Sequence, residues 1–489
     1  MRCPVRTRSM RHIMAVEQCL STWGTLSGME IAQPISKTLP HPRYRLPFAG
    51  DIVGLDTAKP VQKEMAMASE LGGIYERKIF GHRLVVVSEP ELVAEVNDEK
   101  YWAKFLALPH RKLRAIGEDG LFTAFNSESN WHRAHAVLGP AFSKGAMRGY
   151  HEAMQQSVNE LLTSWDSGSG PVDAYDECSK LTFDVIGRCA LSHDFGSFRQ
   201  PVPFADAIAR VLQFVNKSSN DVPIIRSVLG RRATRQHDED LRFIRHTVDT
   251  LIEQRMSQPD SDKTSPDLLE HMLNTPDPHT GDRLTLENIR NQIITFLIAG
   301  NETTASTIAF ALHFLSTRPD EMQRIRAEVD AVAPDGTDIE FENVPKLRRT
   351  RHVVDETLRL WPAAPGYFRK ARERGATSLG GYQVPEGWVF VLLPQLHRSP
   401  EWGPEAHTFD PDRFATGQAS DTNRRIYKPW GTGLRACIGR QFALHEAVLA
   451  LASIARRYEI WADPDYQLDV REAVTMRPHG VRLSVSRRS

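Results

Sequence analysis

The fold of this chain is decided by Trp430-Gly431-Thr432-Gly433-Leu434-Arg435-Ala436-Cys437-Ile438-Gly439, a glycine-rich loop that carries a single cysteine. Apolar periodicity from about 438 to 456 predicts a helix that begins directly after this cysteine. Because a helix N-terminus favours negative charge, Cys437 is expected to ionise readily, and the thiolate is the metal-binding form of cysteine. The glycines let backbone amides approach the sulfur and moderate its donation to a metal.

No cluster of histidines or cysteines surrounds Cys437 in the sequence. A single thiolate cannot hold a zinc ion, but it is sufficient as one axial ligand of haem iron. A lone cysteine at a helix start is also common at purely structural positions. The rest of the chain therefore has to decide between a haem ligand and a structural residue.

Composition limits the class of protein. The 489 residues include 61 Lys+Arg and 61 Asp+Glu, so the formal net charge is zero. Nucleic-acid binding and general membrane-surface binding both call for a basic excess, and neither is expected here. Five cysteines are scattered without any C-x-x-C pair, which argues against a disulfide scaffold, a zinc finger and an iron–sulfur cluster.

The first 28 residues contain four arginines but no apolar core of a secretory signal. We expect residues 1–28 to be a disordered extension or the product of a mis-set start, with one domain over 29–489. The most apolar stretch, 293–300, is shorter than the ~18 residues of a membrane span. The sequence therefore predicts a cytoplasmic protein with no integral membrane anchor.

The secondary-structure pattern is mainly helical with small β-sheets. Hairpins are predicted at 74–87 and 379–393, and a long helix is predicted over 284–316. Residues 293–298 of this helix are apolar on nearly every face, which is typical of a helix buried all round. They are followed by Ala299-Gly300-Asn301-Glu302-Thr303-Thr304, a small and polar block. A polar patch in the middle of a buried helix indicates a place that needs protons or space.

These segments resemble the motifs of the cytochrome P450 superfamily. The cysteine loop is similar to the haem-binding signature F-x-x-G-x-R-x-C-x-G, with Trp430 in place of the usual Phe. Glu356-Thr357-Leu358-Arg359 resembles the E-x-x-R pair, Pro411-Asp412-Arg413-Phe414 the P-E-R-F element, and the block at 299–304 the A-G-x-[DE]-T-T of the central helix. E-x-x-R alone is a weak signal, but all four motifs occur in the family's order.

The resemblance extends to the haem domain of the self-sufficient bacterial fatty-acid hydroxylases. It implies a triangular, mostly α-helical single domain with small sheets, in which haem b lies between the central helix and the proximal helix. The segments that resemble this group are 119–123, 130–131, 134–135, 292–299, 394–398 and 441–447.

The resemblance also implies roles for residues around the cofactor. Cys437 would ligate the haem iron, Arg435 would pair with a propionate, and Trp131 and His135 would serve the other propionate or simply pack. Trp430 and Gly439 would complete the cofactor loop. The Trp430 N–H would draw charge from the thiolate, or its ring would only fill volume; both alternatives stay open.

Thr303 and Glu302 would manage protons above the iron. The alternative is ordinary back-bonding by the threonine within its helix and a solvated glutamate. Glu356, Arg359 and Arg413 would form a buried ion network that supports the cysteine loop rather than take part in the chemistry.

The substrate cavity is expected to be lined by Phe122, Leu113, Gly117, Ala299, Ala364, Tyr367 and Val474. In the related hydroxylases an arginine and a tyrosine on the first hairpin hold the substrate carboxylate. The matching positions here are His82 and Val86, which supply no bidentate clamp. Arg83 or His82 would have to substitute, or the substrate is not an acid.

The expected activity is insertion of one oxygen atom of O2 into an unactivated C–H or C=C bond of a hydrophobic substrate, foremost a fatty acid. Alternatives are tailoring of a terpenoid, polyketide or peptide, a peroxide-driven peroxygenase, and a haem-based sensor. Electrons from NAD(P)H would arrive through a separate ferredoxin or flavodoxin and its reductase. The basic residues expected to dock that partner are Arg424, Arg425, Lys428, Arg435 and Arg440.

Overall fold

A computed structural model describes most of the chain. The described residues are 37–168, 170–220, 226–258, 267–334, 337–372, 377–384, 387–415 and 425–488. The expected extension at 1–28 and the first residues of the expected domain, 29–36, lie outside them.

Helices dominate the described residues, as the periodicity predicts. The α-helices are α1 Pro60–Leu71, α2 Pro90–Val96, α3 Leu108–Gly117, α4 Ser129–Leu138, α5 Met147–Ser167, α6 Ala174–Leu191, α7 Pro203–Asn220, α8 Arg226–Ser257, α9 Leu268–Asn274, α10 Leu286–Ser316, α11 Pro319–Val332, α12 Arg348–Leu360, α13 Leu393–Leu396 and α14 Arg440–Arg457. The strands are β1 Ile74–Ile79, β2 His82–Val87, β3 Trp102–Lys104, β4 Val172–Asp173, β5 Gly366–Ala371, β6 Thr377–Leu379, β7 Tyr382–Val384, β8 Trp388–Leu392, β9 Tyr458–Ala462, β10 Asp469–Glu472, β11 Met476–His479 and β12 Arg482–Arg487.

The strands form small sheets at the edges of the helical body. The largest has the order β1-β2-β8-β5-β3 and is antiparallel except for the parallel pair β2–β8. A three-stranded sheet has the order β4-β12-β9, and β6–β7 and β10–β11 are two-stranded. The hairpin expected at 74–87 is confirmed as β1–β2, with Ile74 opposite Val87.

The hairpin expected over 379–393 is wrong. β7 pairs with β6, and β8 instead joins β2 and β5 of the large sheet. Gly380 and Gly381 have φ of 58° and 85°, so they make the two-residue turn whose twist matches a β-hairpin. The turn expected at Pro385 and Glu386 lies outside the described residues.

The long central helix is confirmed as α10. It begins at Leu286 because the Thr285 hydroxyl caps it, accepting the Asn288 N–H at 3.1 Å. It ends at Ser316, and Pro319 starts α11. α10 packs against α6, α8, α12 and α14, so that apolar side chains surround both of its ends.

The middle of α10 is open. Ala299 is exposed and its neighbours in 298–303 are partly exposed, whereas residues 291–297 and 304–312 are buried. An exposed gap within a helix that runs through the core means that a recess reaches the core at this point. The small and polar block therefore lies where the recess meets the helix.

One helix among the described residues, α10, is long and apolar enough to cross a membrane by length and composition alone. Of its most apolar window, 67% is buried inside the protein. Packing in the core accounts for the apolar character of this helix.

We predict that Gly120→Ala destabilises the protein. A methyl group there would overlap Thr295 Oγ1 and would lie 2.8 Å from the Asn291 carbonyl oxygen of α10. The free energy of unfolding should fall by about 1–3 kcal/mol, measured by thermal unfolding of the haem-loaded protein. Gly145→Ala is the matched control, because nothing lies within 4 Å of its added methyl, and its effect should stay within about 0.5 kcal/mol. Equal melting temperatures for the two variants would contradict the prediction.

Candidate functional site

The cysteine loop presents its sulfur to the recess. Gly431 and Gly433 have φ of 68° and 66°, and these turns bring the Cys437 N–H to the Trp430 carbonyl oxygen at 2.8 Å. A methyl group on Gly439 would lie 3.9 Å from Cys437 Sγ, so the sulfur has close neighbours on the helix side. Cys437 itself is exposed, and its thiol opens onto the recess.

The sequence-based expectation that Cys437 ionises readily is wrong for the protein alone. Although Cys437 is exposed, protein atoms surround its thiol, and this desolvation raises its pKa, with the Gly439 N–H and the Arg440 charge acting in the opposite direction. A metal ion deprotonates a thiol that coordinates it. Because the protein alone raises the pKa of Cys437, formation of the thiolate would depend on metal binding.

Polar side chains from the segment after α2 and from strand β5 hold the loop in place. Glu99 accepts the Leu434 N–H at 3.0 Å, and Asn97 accepts the Thr432 hydroxyl at 3.0 Å. Arg369 of β5 donates to Thr432 Oγ1 at 2.8 Å. None of these supports belongs to a sequence motif, so sequence reasoning missed them.

Arg435 connects the loop to the wall of the recess. Its guanidinium lies 3.8 Å from the centre of the Trp131 ring, and it donates to the Leu121 carbonyl oxygen at 3.3 Å. Leu121 N–H in turn donates to Gln292 Oε1 of α10 at 2.9 Å. Leu121 therefore connects the cysteine loop to α10 about two turns before the open middle of this helix.

Trp131 and His135 lie on α4 beside Arg435. Trp131 is buried, its ring stacks on the His135 ring with centres 4.9 Å apart, and no side-chain hydrogen bond of either is present among the described residues. Burial, followed by the Arg435 charge, lowers the pKa of His135. Both residues thus lie next to the cation that the resemblance assigns to a propionate.

Three cations meet at the recess, and the carboxylates of Glu99 and Glu128 act on two of them only from a distance. Burial and the repulsion of Arg435 and Arg369 lower the pKa of Lys104 to about 7, and burial lowers that of Arg435 to about 10. Burial also lowers the pKa of Arg369. In the part of the chain that the structure describes, none of the three forms an ion pair with a carboxylate. Such a cluster fits a bound dianion. Sequence reasoning missed Lys104 and Arg369, which carry no motif of their own.

The two residues expected to handle protons point to different partners. The Thr303 hydroxyl donates to the Ala299 carbonyl oxygen at 2.7 Å, the back-bonded state that was the alternative interpretation. The Glu302 carboxyl accepts the Thr475 hydroxyl at 3.0 Å. Burial raises the pKa of Glu302, opposed by the Arg477 charge. Adjacent positions on a helix face different directions, so the structure does not bring the two side chains together.

The expected ion network is assembled below the cysteine loop. Glu356 and Arg359 are fully buried, and Arg359 Nε donates to Glu356 Oε2 at 2.6 Å. Arg359 also donates to the carbonyl oxygens of His397 and Ala406 at 2.9 and 2.7 Å. Arg413 Nε lies 3.6 Å from Glu356 Oε1. Burial lowers the pKa of His397 to about 3, and this neutral ring accepts the N–H of the residue at 428.

The seven expected cavity residues fall into two groups. Phe122, Ala299 and Ala364 are exposed and Val474 is half-buried, as a cavity lining requires. Leu113 and Gly117 are buried in the surrounding wall, and Tyr367 is half-buried like Val474.

The buried positions Leu113 and Gly117 correct the sequence-based expectation, whereas Tyr367 stays a prediction. Leu113 is 2% exposed within the main core, and the Gly117 backbone approaches Thr123 and Thr295. The Tyr367 hydroxyl donates to Asn97 Oδ1 at 3.0 Å, beside the cysteine loop. The sequence alone does not show which way the Leu113 and Tyr367 side chains point or how closely the Gly117 backbone is packed.

The first hairpin offers no arginine–tyrosine pair. His82 is exposed, Val86 is fully buried, and the Arg83 guanidinium pairs with Glu76. Arg45 pairs with the same Glu76 at 2.8 Å. A carboxylate arriving here would have to displace an existing ion pair.

A planar, doubly negative cofactor whose metal takes one sulfur ligand would match three features of the site. These are the three cations, the exposed Cys437 thiol and the exposed middle of α10. The fold and the site define a haem-thiolate protein, in which Cys437 would ligate the iron and Lys104, Arg369 and Arg435 would face the propionates.

Comparison with known proteins gives the family. The cytochrome P450 family model matches residues 40–485, and the chain belongs to the cytochrome P450 family. A bifunctional cytochrome P450/NADPH–P450 reductase of Bacillus cereus is 38% identical over 455 residues, 91% of this chain and 42% of that protein. A second such protein, of Bacillus subtilis, is 37% identical over 460 residues, 93% of this chain and 43% of the relative. The chain thus spans less than half the length of these relatives.

A solved structure supports the same assignment. The crystal structure of a cytochrome P450 (CYP102L1) is 42% identical, with a TM-score of 0.85. The match covers 92% of this chain and 100% of that chain. Membership of the family implies a thiolate-ligated haem, which the residues of the recess fit.

We predict that Glu356→Gln impairs haem retention. Loss of the carboxylate strands the buried Arg359, which should lower the free energy of unfolding by about 3–5 kcal/mol. Haem content per protein and thermal unfolding measure the effect. Glu239→Gln is the control, because Glu239 forms an exposed i,i+4 pair with Arg235, and it should lose less than about 1 kcal/mol. Full haem content in Glu356→Gln would refute the prediction.

Trp430 carries a hydrogen-bond donor where the family usually has Phe. Its Nε1 is buried and has no acceptor among the described residues, so the N–H is not bonded to Cys437 Sγ in this structure. The same residue accepts the Cys437 N–H through its carbonyl oxygen. Because this N–H has no acceptor in the part of the chain that the structure describes, both interpretations of Trp430 stay open: the N–H draws charge from the thiolate, or the ring only fills volume.

We predict that Trp430→Phe lowers the haem reduction potential, because removal of a nearby donor leaves more charge on the sulfur. A redox titration of the purified protein measures the midpoint. Trp461→Phe, on the exposed strand β9, is the control. If the Trp430 and Trp461 variants have the same midpoint as the parent, the ring only fills volume.

Proposed function

We propose that this chain is a haem-thiolate monooxygenase domain that inserts one atom of O2 into an unactivated C–H or C=C bond of a hydrophobic substrate. A fatty acid or a fatty-acid-like molecule is the foremost substrate class. The observation that carries the proposal is the recess bounded by the Cys437 thiol and the exposed gap of α10 at Ala299. The relatives' names, which describe P450s coupled to NADPH–P450 reductase, support it.

When bound, the thiolate-ligated haem supplies the reductive activation of O2. The chain itself would supply protons and exclude water. Burial raises the pKa of Glu302, so its carboxyl keeps a proton to a higher pH than an exposed glutamate does. The Thr303 hydroxyl would have to turn from the Ala299 carbonyl to pass a proton on. A peroxide-driven peroxygenase or a gas sensor has no need of this acid–alcohol pair.

The second candidate is tailoring of a terpenoid, polyketide or peptide. The first hairpin favours it, since Val86 is buried and Arg83 pairs with Glu76, which leaves no arginine–tyrosine clamp for a carboxylate. An acid would then be recognised elsewhere in the channel, or the natural substrate carries no carboxylate.

The protein surface around the cysteine loop is the proposed site of electron delivery. We propose that a ferredoxin or flavodoxin with its NAD(P)H reductase approaches the face around Leu434, which is 61% exposed. Arg440 is exposed there, whereas Arg425 already pairs with Glu91 and Glu401. Arg424 lies outside the described residues. A basic contribution to docking implies that the reduction rate falls with ionic strength. The cytoplasm is the proposed location.

We predict that Thr303→Ala uncouples turnover. Without the hydroxyl at the open gap of α10, product formed per NAD(P)H consumed should fall roughly tenfold or more. The comparison is with Thr307→Ala, which loses an equivalent back-bond, to the Thr303 carbonyl, at a buried position of the same helix. An unchanged product yield in Thr303→Ala would remove Thr303 from proton handling.

The proposed function is tested by titrating the ferric protein with fatty acids of graded chain length. Displacement of iron-bound water shifts the spectrum from low to high spin, and a saturable shift that is strongest at one length supports a fatty-acid substrate. Turnover of that ligand under ¹⁸O2 should place one labelled atom in the product. A series without any shift would overturn the fatty-acid class and favour the tailoring alternative.

A further inference from the structure

His110, on α3, contributes a polar group to the aromatic wall of the recess. Its ring centre lies 5.5 Å from that of Phe122 and 5.6 Å from that of Phe368. Phe122 is partly exposed to the recess, and its carbonyl oxygen accepts a hydrogen bond from Lys104, one of the three cations at the site. His110 therefore lies at the same side of the recess as the residues that face cofactor and substrate.

The imidazole has an unused hydrogen-bonding atom. His110 Nδ1 is buried and has no partner among the described residues. Buried polar atoms in folded proteins are nearly always paired, so an orphaned ring nitrogen beside a recess points to a partner that arrives with a ligand.

The charge state of His110 limits which partner fits. Burial, together with the Lys104 charge, lowers the pKa of His110 to about 4, so the ring is neutral near pH 7. A neutral imidazole offers one N–H donor or one lone pair, without the charge that would compensate a buried carboxylate. The aromatic neighbours Phe122 and Phe368 provide no such charge, and the nearby Lys104 would face the propionates of the cofactor rather than the substrate.

We propose that His110 is a specificity-determining residue that hydrogen-bonds a neutral oxygen function, a hydroxyl or a carbonyl, of the hydrophobic substrate. This rests on the proposed function and narrows it, because the contact would set how far the substrate chain slides past Phe122. A hydroxyl group pairs with either tautomer of the ring, whereas a carbonyl pairs only with an Nδ1–H donor.

The test is a spin-state titration of the haem-loaded protein. The ligands are straight-chain ketones of one length with the carbonyl moved carbon by carbon, the matching secondary alcohols, and the alkane of the same length. At one chain position the oxygenated ligand should bind about 2- to 12-fold more tightly than the alkane, the range of one hydrogen bond.

Three variants isolate the contact. His110→Leu should bind the alkane as well as the parent and lose the advantage of the favoured ketone or alcohol. His110→Gln keeps a donor and an acceptor and should restore part of that advantage. His279→Leu, which removes an exposed histidine of the loop before α10, is the matched control and should leave the whole series unchanged.

The outcomes separate this proposal from the proposed function. An alkane shift with no advantage at any position, or an advantage that survives in His110→Leu, overturns the role of His110 alone. Loss of haem from His110→Leu with an unchanged ligand series assigns Nδ1 to the cofactor and also overturns it. No shift with any ligand of the series, in a parent protein that is fully loaded with haem, overturns the hydrophobic substrate class itself.

Discussion

The buried pair of Glu356 and Arg359 is the interaction on which the rest of the structure depends. Both side chains are inaccessible to water, so each charge needs every partner that the fold provides. Arg359 reaches the carbonyl oxygens of His397 and Ala406, and Glu356 accepts the Asp410 N–H at 2.8 Å. These bonds tie α12 to the irregular chain that leads to the cysteine loop. A loop with little regular structure thereby acquires a fixed position below α10.

Above that support, the recess has the opposite character, since its charges are left uncompensated. Lys104, Arg369 and Arg435 come from three separate segments and repel one another, and the Cys437 thiol has a raised pKa. A haem would relieve both conditions at once, because its carboxylates would face the cations and its metal would stabilise the thiolate. The electrostatics of the recess thus fit the cofactor of the family to which the chain belongs.

Local sequence patterns were sufficient to predict those elements that a motif or the spacing of apolar residues defines. The central helix was expected over 284–316 and spans Leu286–Ser316, and the first hairpin has the expected strands. Prediction from local patterns failed where a segment contacts a partner that lies far away in the chain. β8 leaves its expected hairpin because it pairs with β2 and β5, and Leu113 packs into the core instead of lining the recess. Lys104 and Arg369 were missed because each is unremarkable until the other cations are placed beside it.

The sequence by itself determined the order of the elements, the cysteine that would bind iron, and the helix that carries the small and polar block. Those features depend on residue type and on spacing of a few positions, which a sequence contains directly. The tertiary structure alone decided the direction of the Cys437 pKa shift, the separate partners of Glu302 and Thr303, and the unpaired nitrogen of His110. Desolvation, charge repulsion and hydrogen-bond satisfaction are sums over neighbours that are distant in the chain, so they exist only after folding brings those neighbours together.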